Sequence, residues 1–276
     1  MNTRAIKSLL GVKLYAMRVF IELAYDGTNY HGWQRQPEAI TVQQVLEEAL
    51  EKLCGDTCSV LGCGRTDSGV HASYFVAHAD LPVAVNARFD TLEQLAFKLN
   101  GILNDDVAVF FIQEVDDTAH ARFDAVERSY TYWIHTEKDP FLAGLSARVF
   151  GGLDVDAMQE AADKLVFKGD FAAFCKTGSD VKTTICDVRM VEITRLGHRI
   201  KIVIEADRYL RNMVRAIVGT LTQVGKGKMT QDQFKDVIAS CDRSQAGKSA
   251  PACGLYLARV DYPEETFTPV SLHKER

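Results

Sequence analysis

Apolar positions between residues 17 and 115 switch repeatedly between period two and helical spacing. Val19, Ile21, Leu23 and Tyr25 share one face at period two, which predicts a strand starting at Met17. Asp26-Gly27-Thr28-Asn29 then supplies turn chemistry. Thr41 opens a helix with the stripe Val42, Val45, Leu46, Ala49, Leu50 and Leu53, and Gly55 stops it. Residues 58–63 and 73–81 read as strands. Leu92, Leu95, Ala96 and Leu99 mark a second helix beginning at Thr91, and residues 107–115 read as another strand. Thr41 with Gln44, and Thr91 with Gln94, match a T-x-x-Q capping box. The predicted order is β-α-β-β-α-β, the split-βαβ or ferredoxin-like arrangement.

The second half repeats this order loosely, with longer elements and no fixed-period repeat. Strands are predicted over 129–135, 184–195, 199–206 and 255–260. Helices are predicted over 155–166, 209–224 and 230–240. The chain therefore reads as α+β: an extension over 1–16, one domain over 17–119 and a second over 120–276. Their sheets are expected to be mainly antiparallel and flanked by helices.

Composition narrows the function classes. The 276 residues are 47 % hydrophobic and 25 % charged, an ordinary globular mix. The net charge of −5 excludes a non-specific polycation, yet permits a local basic groove. No run reaches the roughly 18 consecutive apolar residues of a membrane span. Lys13 interrupts the apolar stretch Ser8–Val12, which makes a poor signal peptide. The seven cysteines are scattered and read as reduced cytoplasmic thiols. Cys54, Cys58 and Cys63 lack a well-spaced fourth ligand, so Cys54 reads as a buried thiol at a helix end, not a zinc ligand.

The densest polar segment is Gly62-Cys-Gly-Arg-Thr-Asp-Ser-Gly-Val-His71. It lacks the lysine of a phosphate-binding P-loop. It offers Asp67 two residues after Arg65, and a carboxylate beside a guanidinium suits nucleophilic or general-base work. The same residues also suit a plain turn in which Asp67 caps its own backbone. Arg208, Arg211 and Arg215 recur at three and four, which on a helix forms one stripe for phosphate or a solvated face. Apolar neighbours of Arg215 imply partial burial and a need for a carboxylate partner, which Asp67 could be. Arg128-Ser-Tyr-Thr-Tyr-Trp133 fits a base-stacking strand or an ordinary core strand. Phe174–Asp180, followed by Lys182, fits a phosphate contact or a surface loop.

Together these runs resemble the tRNA pseudouridine synthase A family. The match includes Tyr25–Gln36, Thr41-Val-Gln43, Gly64-Arg-Thr-Asp-Ser-Gly-Val-His-Ala72, Arg128-Ser-Tyr130, Phe174–Asp180, Leu210–Gly219 and Ala250–Leu257. It spans about residues 17–262. Gln44 replaces a residue that is often smaller in the family. Residues 1–16 have no counterpart, so Met17 is the expected native start.

The resemblance implies a cytoplasmic isomerase without a cofactor, acting on uridines 38, 39 and 40 in the tRNA anticodon arm. It implies a homodimer whose two α+β domains line a basic RNA-binding cleft. Asp67 matches the catalytic aspartate and Arg215 the arginine that pairs with it. Arg65 matches the loop arginine, and Tyr130 the tyrosine against the target base. Arg35, Lys182, Arg208 and Arg211 are candidate phosphate contacts. The competing classes are a non-catalytic RNA-binding module and a nucleotide-handling enzyme built on the glycine-rich loop.

Overall fold

The computed structural model describes residues 17–82 and 85–267; the expectations for residues 1–16 lie outside them. The first half contains β1 (Met17–Tyr25), α1 (Val42–Cys54), β2 (Val60–Gly62), β3 (His71–Leu81), α2 (Leu92–Asn100) and β4 (Val107–Glu114). A single helical turn, Val85–Arg88, precedes α2. The second half contains β5 (Glu127–His135), β6 (Ala147–Arg148), α3 (Val155–Ala162), β7 (Lys168–Asp170) and β8 (Ile185–Leu196). It continues with β9 (Arg199–Ala206), α4 (Met213–Gly225), α5 (Gln231–Ser240) and β10 (Leu255–Asp261).

The architecture is mixed α/β, built on one large and mostly antiparallel sheet. Its strands run β4-β1-β3-β10-β5-β9-β8-β7, with β2 added to β3 and β6 to β5. Within the first half the order is β4-β1-β3-β2. Within the second, β10-β5-β9-β8 repeats the same relative order. The halves meet where β3 and β10 run parallel through two residue pairs, His71 with Tyr256 and Ala72 with Leu257. Residues 63–70 lead straight into that junction.

Each half has its own apolar core. Val19, Ile21, Leu23, Leu46, Leu50, Phe75, Leu95 and Ile112 belong to the first, which also takes Leu257 and Val260 from β10. Met158, Leu165, Phe171, Ile202, Ile204, Ile217 and Leu221 belong to the second, which takes Val70 from the first half. Both faces of β1 are covered at Phe20. Its side chain lies on the face opposite Val19 and Ile21 and is buried against His78, Tyr262 and Phe267.

Three local expectations change. Thr41 and Thr91 cap their helices, but Gln44 bonds Glu48 and Gln94 bonds the Asp90 N–H, so neither capping box closes. A reciprocal box forms instead at Thr230 and Gln233. The helix expected over 209–224 begins only at Met213. Ahead of it, Asp207 Oδ1 accepts the N–H groups of Asp187 (2.8 Å) and Arg208 (2.7 Å), and Asn212 sits at φ +65°. These bonds compete with the helical ladder. Arg208 and Arg211 therefore lie in a non-helical segment and share no helix face with Arg215.

Candidate active site

The Cys63–Val70 loop is shaped by the segment that follows β1. The Trp33 N–H donates to the Thr66 carbonyl (3.3 Å), and the Gly69 N–H to the Tyr30 carbonyl (3.2 Å). The hydroxyls of Tyr25 and Thr66 bond at 2.9 Å. Backbone approaches backbone so closely that a Cβ on Gly27 would lie 2.0 Å from the Val70 carbonyl oxygen. One on Gly32, at φ +85°, would lie 2.3 Å from the Thr66 oxygen. Only glycine fits at such positions. His71 locks the loop's exit. Its Nδ1 accepts the Gly27 N–H (3.0 Å), its Nε2 lies 3.1 Å from the Gly144 carbonyl, and its ring stacks on Tyr256.

A turn does form, with the Val70 N–H bonded to the Asp67 carbonyl at 3.1 Å. The Asp67 side chain does not cap it. Asp67 Oδ2 instead accepts from Arg215 Nη1 at 3.1 Å. Arg215, in the first turn of α4, also donates through Nε to the Ala250 carbonyl (2.8 Å). Two anchors thus hold one guanidinium, and its carboxylate partner remains 32 % exposed. Such a carboxylate is positioned yet reachable.

Tyr130, on β5, is half-buried, and its ring meets Tyr209 edge-on at 4.9 Å. Burial raises its pKa above the ordinary phenol value. The nearby Cys63 thiol and Asp67 charge raise it further, against the pull of Arg128. The phenol is protonated at neutral pH. Burial also pushes the Cys63 thiol up to about 11, so it is no thiolate nucleophile near neutrality.

Arg128 is the functional residue that sequence reasoning missed. Its guanidinium donates to the carbonyls of Cys63 (3.0 Å), Asp207 (3.0 Å), Arg122 (2.6 Å) and Ala125 (3.2 Å). It ties the Asp67 loop, the segment before α4 and the link between the halves to the strand carrying Tyr130. Its place in the Arg128-Ser-Tyr run was visible, but two of its carbonyl partners, Cys63 and Asp207, are remote in sequence.

The other candidates scatter. Arg65 is exposed on the loop and makes no hydrogen bond or ion pair with the described residues. Burial lowers the Arg122 pKa first, and the charges of Arg65, Arg128 and Arg208 lower it further. Arg35 is turned away into an ion pair with Glu47 at 2.9 Å. Arg211 is exposed, and its carbonyl accepts the Lys176 N–H. Lys182 is exposed ahead of β8.

Residues 23–124 and 161–263 match the family described as tRNA pseudouridine synthase. The chain belongs to this family. As a tRNA pseudouridine synthase it is an isomerase of tRNA uridine. Similar proteins include the tRNA pseudouridine synthase A of Porphyromonas gingivalis, 48 % identical over 91 % of this chain and 99 % of that one. The tRNA pseudouridine synthase A of Bacteroides thetaiotaomicron is 48 % identical over 91 % and 93 %. That of a Thermoanaerobacter species is 41 % identical over 88 % and 99 %. A chain of a Cbf5-Nop10-Gar1 complex aligns over 90 % of the synthase and 61 % of its own length, at TM-score 0.37 and 12 % identity. The synthase contains no helix, among the described residues, long and apolar enough to cross a membrane.

Proposed function

We propose that this synthase converts uridines 38, 39 and 40 of the tRNA anticodon arm to pseudouridine, with Asp67 as the catalytic carboxylate. The observation carrying this reading is the partly exposed Asp67 carboxylate held on Arg215 beside a protonated Tyr130.

The reaction breaks the N1–C1′ bond and forms C5–C1′. C5 loses one proton and N1 gains one, so atoms and electrons balance without an added reactant. Asp67 serves this chemistry by attacking C1′, by adding to C6, or by removing a ribose proton on a glycal route. Each needs a carboxylate, and Arg215 opposes its charge while fixing its position. Tyr130 lies against the uracil as a protonated phenol, so the C5 proton leaves late in the reaction to the freed Asp67 carboxylate or to solvent.

A stem uridine must leave its stack, at a cost of a few kcal/mol. Arg65, exposed on the same loop, is placed to fill the vacated space. Arg208 and Arg211 take phosphate, as do Lys182 and Arg35, the latter only after leaving Glu47.

The two halves act as ferredoxin-like domains, 17–119 and 120–276, lining the RNA cleft. The repeated strand order and the paired cores support this reading. The protein works as a cytoplasmic homodimer. Its seven free cysteines suit a reducing compartment, and light scattering at micromolar concentration tests the dimer.

Single-turnover conversion of an unmodified tRNA transcript, mapped by carbodiimide primer extension, tests the function. Conversion in the anticodon arm that slows at least about 10²-fold in Asp67→Asn, with RNA binding retained, is expected. Conversion elsewhere, or an Asp67→Asn rate close to wild type, would overturn the position or the catalytic assignment respectively.

A further inference from the structure

Residues 116–126, which join the two halves, form an arch whose backbone is held from every side. Asp124 Oδ2 accepts the His120 N–H (2.6 Å), and the His120 carbonyl accepts the Asp124 N–H (3.1 Å). His120 Nδ1 accepts the N–H groups of both Arg122 (3.1 Å) and Phe123 (3.3 Å). His78 Nδ1 takes the Ala121 N–H (3.1 Å), and Tyr262 donates to the Ala121 carbonyl (2.6 Å). Arg128 closes the set on the Arg122 carbonyl.

Between His120 and Asp124 this fixed backbone leaves the side chains of Arg122 and Phe123 exposed, while Asp117, Thr118 and Val126 are exposed toward the ends of the arch. Phe123 is 73 % exposed, with one face of its ring against His120 at 4.2 Å. Arg122 lies 5.7 Å from the same ring. Exposure alone would mean little, since other large apolar residues of this chain are exposed too. The surroundings distinguish this phenylalanine. Arg128 Nη2 bridges the Arg122 carbonyl to the Cys63 carbonyl, so the arch abuts the start of the Asp67 loop. Arg65, Arg128 and Arg208 stand nearby, and none of them pairs with a carboxylate of the described residues.

We propose that the arch is a substrate clamp: the Phe123 ring stacks on an unpaired nucleobase next to the reacting uridine, and Arg122 takes the adjoining phosphate. An aromatic face beside guanidiniums that have no carboxylate partner among the described residues is the combination that holds single-stranded nucleic acid. A ring already fixed by its backbone loses little freedom on binding. The clamp rests on RNA entering over Asp67, as proposed above.

The experiment measures half-saturating enzyme concentration and maximal single-turnover rate on the transcript for wild type, Phe123→Leu, Phe123→Trp and Arg122→Gln. Filter binding in the Asp67→Asn background runs alongside. Phe123→Leu is expected to raise half-saturation and Kd roughly tenfold, within the range for loss of one stacked base, with the maximal rate nearly unchanged. Phe123→Trp should stay within about twofold of wild type. Arg122→Gln should flatten the salt dependence by about one counterion. A correctly folded Phe123→Leu that binds like wild type would overturn the clamp. So would a changed oligomeric state with unchanged RNA affinity, which would assign Phe123 to a second copy of the chain. Failure of the cleft reading shows separately, as absent anticodon-arm conversion by wild type.

Discussion

Arg128 Nη2 donates to the Cys63 carbonyl at 3.0 Å, so the strand that presents Tyr130 also fixes the start of the loop that presents Asp67. A cation spent on main-chain carbonyls does no chemistry itself. It sets the separation of two groups that do. Arg128→Met strands several carbonyls, each worth about 1–3 kcal/mol if buried without a partner. Urea unfolding should show a loss of about 2 kcal/mol or more, accompanied by a fall in turnover. An unchanged midpoint would mean that water replaces the guanidinium freely.

The Asp67–Arg215 pair should separate activity from stability. Both groups are partly exposed, so the pair contributes only about 0–1 kcal/mol to folding. Asp67→Asn should nevertheless slow the chemical step about 10²–10⁴-fold. Arg215→Ala should slow it roughly 10²-fold or more. Thermal melts and single-turnover rates on the same preparations provide the check. Parallel losses in both would mark the pair as structural.

Arg65 makes a sharper case, because no described residue engages it. If it fills the space of a flipped uridine, Arg65→Ala should cut the rate on stem uridines while leaving the melting temperature within about a degree. Arg65→Lys should recover only part, since lysine lacks the planar fork. Equal rates for all three proteins would sink this role.

Gly32→Ala tests the backbone contact that shapes the loop. The added methyl meets the Thr66 carbonyl, and φ +85° is unfavourable for alanine. A loss of at least about 1 kcal/mol in stability, with a larger proportional loss in turnover, is expected. Retention of both would show that residues 26–34 do not set the position of Asp67.

His78 predicts an acid limit to stability. Burial pushes its pKa down to about 4, and the charges of His120 and Arg18 push the same way, with Asp80 and Asp124 opposing. An unfolded histidine titrates near 6.5. The folded state therefore prefers the neutral ring, which also has to accept the Ala121 N–H. This contribution is complete above about pH 6.5 and is lost as pH falls from there toward 4. Urea midpoints should decline across that window. His78→Asn, which can still present an acceptor, should flatten the decline; an unaltered slope would assign it to other groups.

Much of the element pattern could be read from local sequence. The β1 alternation and the α1 stripe identify their elements because each depends on neighbours within a turn or two. Where local reading failed, a partner from elsewhere had intervened. Phe20 is buried on the opposite face of its strand because Tyr262 and Phe267 cover it. The α4 helix starts late because Asp207 bonds β8 as well as its own chain. The Arg122–Phe123 arch drew no attention in sequence, since its hydrogen bonds to His78, Arg128 and Tyr262 leave no local periodic mark.

The sequence by itself determined the element types, the glycine-rich loop and the resemblance, because period, turn chemistry and motif are properties of contiguous residues. Only the tertiary structure decided that a carboxylate 148 positions from an arginine would sit 3.1 Å from it. That contact depends on the joining of two half-sheets through the short parallel pairing of β3 and β10, which brings the Asp67 loop beside α4. Such pairing is specified by packing summed over both cores, and no stretch of the chain carries it alone.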